Sequence, residues 1–278
     1  MIFLKINIYN LIMKLITCKN NTLIRIFNED FSSLSLIPKV ERLINKQDPT
    51  LEDVLGLCSH NESLLEKLTR RGGVSCKEDE FAKEILFKKG LSFLKSLAIR
   101  TMNQEIFKLP LNLHGVSESI LKRRSILLAR FIKHYHDLLE LSPDNAYLCG
   151  LLFNFNHICY EQLVNNKILE VEDYDNIKAE CAHWTAQALL EIGFDQTITT
   201  FVEDSYKDLY STSFPFAQAL ARIGNQLLID TEQSLSSSIG RSSVISRDLL
   251  DATGLSSRAI VNVLKDLTRN YKGGVSSL

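Results

Sequence analysis

The chain has 278 residues, 45% of them hydrophobic and 23% charged, with 12 Gly and 5 Pro. That composition suits a globular protein with a sizeable core, and so few turn formers exclude a many-stranded β fold in favour of long helices. A net charge of −1 gives no overall attraction to nucleic acid or to an anionic lipid surface.

Six Cys, at positions 18, 58, 76, 149, 159 and 181, form no CxxC pair and no framework spacing. They are expected to be buried free thiols in a reducing cytoplasm. Residues 1–27 are rich in Ile and Leu, but Lys5, Asn7, Asn10, Lys14 and Lys19 interrupt every window long enough to cross a membrane. No small-residue cleavage site of a signal peptide follows. Apolar runs at 14–19 and 22–27 flank Asn20-Asn21, a two-residue turn signal, so a small N-terminal β-hairpin is one expectation. Met1 and Met13 are both candidate starts.

Helical patterns dominate from there. Residues 36–45 place apolar side chains at 36, 37, 40, 43 and 44 in one stripe, with Pro38 tolerable only in a first turn. A second helix opens at Thr50, with Asp53 three residues on in capping-box fashion. A third covers 61–68 and stops at Gly72-Gly73. Residues 89–99 repeat the stripe at 91, 94, 97 and 98, and residues 117–141 read as one long helix.

The stretch 142–157 is the centre of the chain. Ser142 is a natural N-cap, Pro143 suits the first turn, and Asp144 lies near the positive helix end. Tyr147, Leu148, Leu151 and Leu152 share a broad apolar face with Phe155 beside it, so this helix is expected in the middle of an all-α domain. Residues 161–176 read as a polar connection with a helical turn or two, and 176–194 as a helix stopped by Gly193. Segments 196–206 and 216–228 follow. A Ser-rich link at 234–243 leads to a helix, a turn at Gly254 and a second helix capped by Ser256. Three parts result: a variable segment at 1–30, a helical domain at 31–232, and a link with a helical hairpin at 233–278.

The motif order resembles a known family. Gly150-Leu-Leu-Phe-Asn-Phe-Asn156 is similar to the GLLHDIG segment of HD-type phosphohydrolases and of their relatives, the HDOD (HD-related output) domains. Pro38 is what remains of that family's LPxLP-like opening. Residues 89–99 resemble its "lG...l..lala" helix, 176–194 its "dHaevGa.Ll..WgLP" segment, and 216–228 its closing "A...AD.la" helix. The resemblance covers about residues 34–230. It implies an HD-like helical bundle and a bacterial cytoplasmic signalling or regulatory module acting through protein–protein contact.

In catalytic members, His and Asp side chains at these positions bind metal. The matching positions here read Arg124, Phe153, Asn154 and Asn225; His183 falls on a family His, and Ser205 or Tyr206 stands where paired His are common. A guanidinium has no lone pair to give, and neither phenyl nor a neutral amide is a worthwhile ligand for a divalent cation. The resemblance thus implies the fold without the chemistry: no enzyme, no metal, no cofactor. Arg124, Phe153, Asn154, His183 and Asn225 become candidate lining of a binding groove.

Other chemical candidates are thin. On a helix His134 and Asp137 share a face while His136 points about 200° from His134, a solvated polar pattern more than a metal site. No nucleophile elbow, P-loop or GxGxxG is present. The tail has the spacing of a helix-turn-helix, but between 246 and 272 five Lys/Arg face three Asp. Ile260, Val261, Val263 and Leu264 also give its second helix an apolar side. The tail is therefore expected to dock on the domain and not to read nucleic acid. A DNA-binding regulator acting through this tail, and a residual metal-dependent phosphohydrolase, are the alternative functions.

Overall fold

The computed structural model describes residues 19–58, 66, 69–70, 77–107, 117–171, 174–234 and 245–271, and among these every regular element is helical. The all-α class read from the sequence is the class observed. Most of the third predicted helix, the Ser-rich link beyond residue 234 and the first 18 residues lie outside the described residues. The chain divides into two compact units: Met1–Pro110 with Gln187–Asp195, and Leu111–Ala186 with Gln196–Ser277.

The first unit contains α1 (residues 19–29), α2 (Ser32–Ile44), α3 (Leu51–Cys58), α4 (Glu78–Glu84, continued by a π-helical turn Ile85–Lys89) and α5 (Leu91–Glu105). The expected β-hairpin is not there, because Asn20-Asn21 lies inside α1. Leu23, Ile26 and Phe27 are at helical spacing and buried, so a packed apolar stripe overrides the local turn signal. Helix α2 also starts earlier than its stripe suggested, which puts Pro38 in its interior. The buried run extends back to Leu34, and the Ser33 amide donates to Glu105 Oε2 at 3.0 Å. That tertiary support offsets the one backbone bond Pro38 cannot make. Helices α2 and α5 are antiparallel and joined again by Lys95–Glu41 at 2.8 Å. The capping box on α3 forms as expected: the Asp53 amide donates to Thr50 Oγ1 at 3.2 Å, and the Thr50 amide to Asp53 Oδ2 at 2.8 Å.

The second unit holds α6 (Glu118–His134), α7 (Pro143–Leu152), α8 (Phe155–Asn165), α10 (Gln196–Glu203), α11 (Pro215–Ser234), α12 (Arg247–Thr253) and α13 (Ser257–Arg269). Between α8 and α10 runs α9 (Tyr174–Glu191), whose residues are divided between the units. The long helix expected over 117–141 ends at His134. Leu138 is 59% exposed and adds nothing to the packed stripe, so turns replace the helix. His134 and Asp137 consequently share no helix face; His136 Nδ1 pairs with Asp137 instead, at 3.2 Å.

Helix α7 forms as its opening predicts, with Asn145 donating its amide to Ser142 Oγ, and residues 146–152 all buried. It packs antiparallel on α6 at very short range. A Cβ on Gly150 would lie 2.6 Å from Ala129 Cα, so only glycine allows these two backbones to approach. Two readings around α7 need correction. The central segment is not one helix: it breaks at Phe153-Asn154, and α8 starts afresh. The polar connection expected at 161–176 begins later, since Glu161 and Gln162 are buried within α8.

Candidate functional site

The break between α7 and α8 creates the site. It places Phe153 and Asn154 in a turn, with Asn154 1% exposed, and frees the Asn154 carboxamide to point away from its own helices. Asn154 Nδ2 donates to Asn225 Oδ1 on α11 at 3.0 Å. Gly224, the residue before, lets α11 lie against Phe131 and Leu128 of α6, where a Cβ would meet ring atoms at 2.8 Å.

Two turns further along α11, on the same face as Asn225, Glu232 receives Arg124 of α6. Arg124 Nη2 and Nε donate to Glu232 Oε2 at 2.6 and 3.3 Å. The two side chains are 10% and 15% exposed, so this is a largely buried ion pair. Arg124, Asn154 and Asn225 are thus arranged along one stripe of α11. Each is matched by a polar partner that neutralises or satisfies it.

Phe153 turns elsewhere. Its ring is 6.1 Å from Phe201 and 6.4 Å from Tyr206, in tilted contact with both. Tyr206 in turn meets His157 Nε2 through its hydroxyl at 3.5 Å and receives Lys178 over its ring at 5.5 Å. His157 lies against Tyr174, with centroids 4.2 Å apart. Burial, reinforced by the neighbouring Tyr206, pushes the Tyr174 phenol well above its ordinary range. This wall is aromatic, with Lys178 at its edge.

His183 is separate from both groups. Its side chain is 46% exposed on α9, and Nδ1 approaches Glu203 Oε1 at 3.3 Å, a carboxylate that Lys207 also holds at 3.1 Å. Ser205 is buried and donates to the Val202 carbonyl, a purely local bond. Among the described residues, no three His, Cys, Asp or Glu side chains converge as a metal site would need. Of the residues singled out by the resemblance, His183 alone carries an imidazole, and it stands apart from Arg124, Asn154 and Asn225. Those three supply amides and a guanidinium already paired to a carboxylate.

Two partners were missed by the sequence reading. Glu232 is one, though an acid seven residues after Asn225 falls on the same helical face and could have been sought as the counter-ion of Arg124. The His157–Tyr174–Tyr206 contacts are the other, and no local spacing signals them. The described Cys149, Cys159 and Cys181 are buried, as expected. Comparison with protein-family models, with curated proteins and with solved structures found no match. The resemblance to HDOD domains accordingly rests on the order and spacing of the motifs alone.

Proposed function

We propose that the chain is a non-catalytic regulatory module of bacterial signalling, resembling HDOD domains, that works through protein–protein contact. The observation that supports it is the pairing of Asn154 with Asn225 and of Arg124 with Glu232. A hydrolytic metal centre requires anionic and imidazole ligands around an exchangeable position. Here an amide–amide bond and an internal ion pair stand at the corresponding residues. The amide pair carries no anionic charge, and the one carboxylate, Glu232, is already neutralised by the Arg124 guanidinium. His183 is a single imidazole joined to Glu203, and among the described residues no third His, Cys, Asp or Glu converges with them as a ligand set would need.

The test uses the full chain with manganese, magnesium or nickel and a panel of cyclic dinucleotide and nucleotide phosphoesters. No turnover is expected. Turnover abolished by His183→Ala would overturn the non-catalytic half of the proposal. Affinity capture from source cells, identified by mass spectrometry, addresses the other half. A stoichiometric protein partner is expected, and repeated recovery of the chain alone would contradict it.

A further inference from the structure

The tail carries a surface that the protein-contact reading does not use. Helix α12 has seven residues and α13 thirteen, and Gly254 turns the chain between them with φ 60°, a left-handed conformation suited to glycine. The Ala259 amide donates to Ser256 Oγ at 3.2 Å, which caps α13. A short helix, a Gly-containing three-residue turn and a capped longer helix follow one another in the element order of a helix-turn-helix.

Docking and DNA contact looked like competing readings of α13, but they use opposite faces. Ile260 and Leu264 are 0% and 5% exposed and seat α13 on the unit formed by α6 and α11. At 100° per residue, Arg258, Asn262, Lys265 and Arg269 fall within about 60° of one another, centred about 150° around the helix from that seam. All four are exposed. The stripe is about 16 Å long, from 1.5 Å of rise per residue. Asp266 flanks it, 4.0 Å from Arg269, and Asp248 and Asp251 are exposed on α12. Just beyond α13, the Tyr271 ring centroid lies 5.9 and 5.8 Å from the guanidinium carbons of Arg123 and Arg130 on α6, a contact on the docked side of the helix that leaves the stripe to its own three cations.

We infer that α13 is a duplex-DNA-contacting helix, with Arg258, Lys265 and Arg269 meeting phosphates and Asn262 facing base edges. A major groove about 12 Å wide admits one helix, and an Asn carboxamide offers the donor–acceptor pair that matches adenine. An acidic protein surface would use the cations but gives no role to the central Asn or to the presented helix. The exposed acids keep non-specific attraction low, so affinity depends on the stripe. This inference is independent of the protein-contact proposal.

The experiment is a fluorescence-anisotropy titration of the full chain against a labelled duplex of random sequence over a series of salt concentrations. Three phosphate contacts predict a log–log salt slope of about −2.7. Arg258→Ala should reduce that slope by about one. The triple variant Arg258→Ala, Lys265→Ala, Arg269→Ala should abolish binding at low salt while its melting curve stays unchanged, since all three side chains are exposed. Lys83→Ala with Lys88→Ala, exposed cations on α4 and its π turn, should bind as the parent does. No binding at low salt, binding indifferent to the triple variant, or equal displacement by polyglutamate would overturn the inference.

Discussion

Asn154 is 1% exposed, and the carboxamide of Asn225 accepts its side-chain hydrogen bond. Replacing Asn225 with Leu removes that acceptor and strands a buried donor, which costs about 1–3 kcal/mol. Urea unfolding reads this as a lower midpoint, and an unchanged midpoint would contradict the pairing. The Arg124–Glu232 pair behaves differently because two charges are involved. Glu232→Gln leaves a guanidinium that is 10% exposed without its carboxylate, at a cost of about 2–4 kcal/mol. Arg124→Met combined with Glu232→Leu should be much closer to the parent, because no charge is then stranded; additive losses would refute that. At the surface, Lys46, the Thr50 amide and the Thr50 hydroxyl together lower the Asp53 pKa from 3.8 to about 2. A depressed carboxylate pKa adds stability that is complete above 3.8 and is lost as pH falls toward 2. The amides at the start of α3 should therefore exchange faster with solvent across that window, measured by NMR, and Asp53→Asn should remove the pH dependence.

Helices α6 and α7 pack at a distance set by one missing side chain. Gly150→Ala would put a methyl 2.6 Å from Ala129 Cα, which backbone atoms cannot yield cheaply, so a loss of about 1–3 kcal/mol or more is expected. A variant as stable as the parent would mean the helices are further apart than described. The body of α7 was legible because its information is local: Ser142, Pro143 and an all-round apolar run say where it begins and that it is buried. Its end was not. The break at Phe153-Asn154 is fixed by a hydrogen bond to a residue 71 positions away, and nothing between 150 and 157 announces it. The start of the chain shows the opposite failure. Asn20-Asn21 is a sound turn signal taken alone, and the burial of Leu23, Ile26 and Phe27 outweighs it. Helix α6 stops before Leu138 because an apolar residue at the right spacing earns its place only if something covers it, and nothing does.

At the scale of the whole molecule, the all-α class followed from scarce Gly and Pro and from repeated 3.6-residue stripes. Among the described residues no helix is long and apolar enough to cross a membrane. The candidate site was half legible. The residue types of Arg124, Phe153, Asn154 and Asn225 carried the expectation of a site without metal ligands, whereas their partners emerged only from tertiary placement. Phe153 and His183 left the group they were assigned to, one into an aromatic wall and the other beside Glu203. The central claim is that the paired amides and the paired charges hold these positions by themselves. A metal bound to the folded chain alone would stabilise it by about 2.7 kcal/mol at a hundred times its Kd. The most direct measurement is therefore the melting temperature of the untreated full chain, compared with the same protein after chelation and after addition of manganese. The account predicts three coincident transitions. A Tm that falls on chelation and returns with manganese would contradict it.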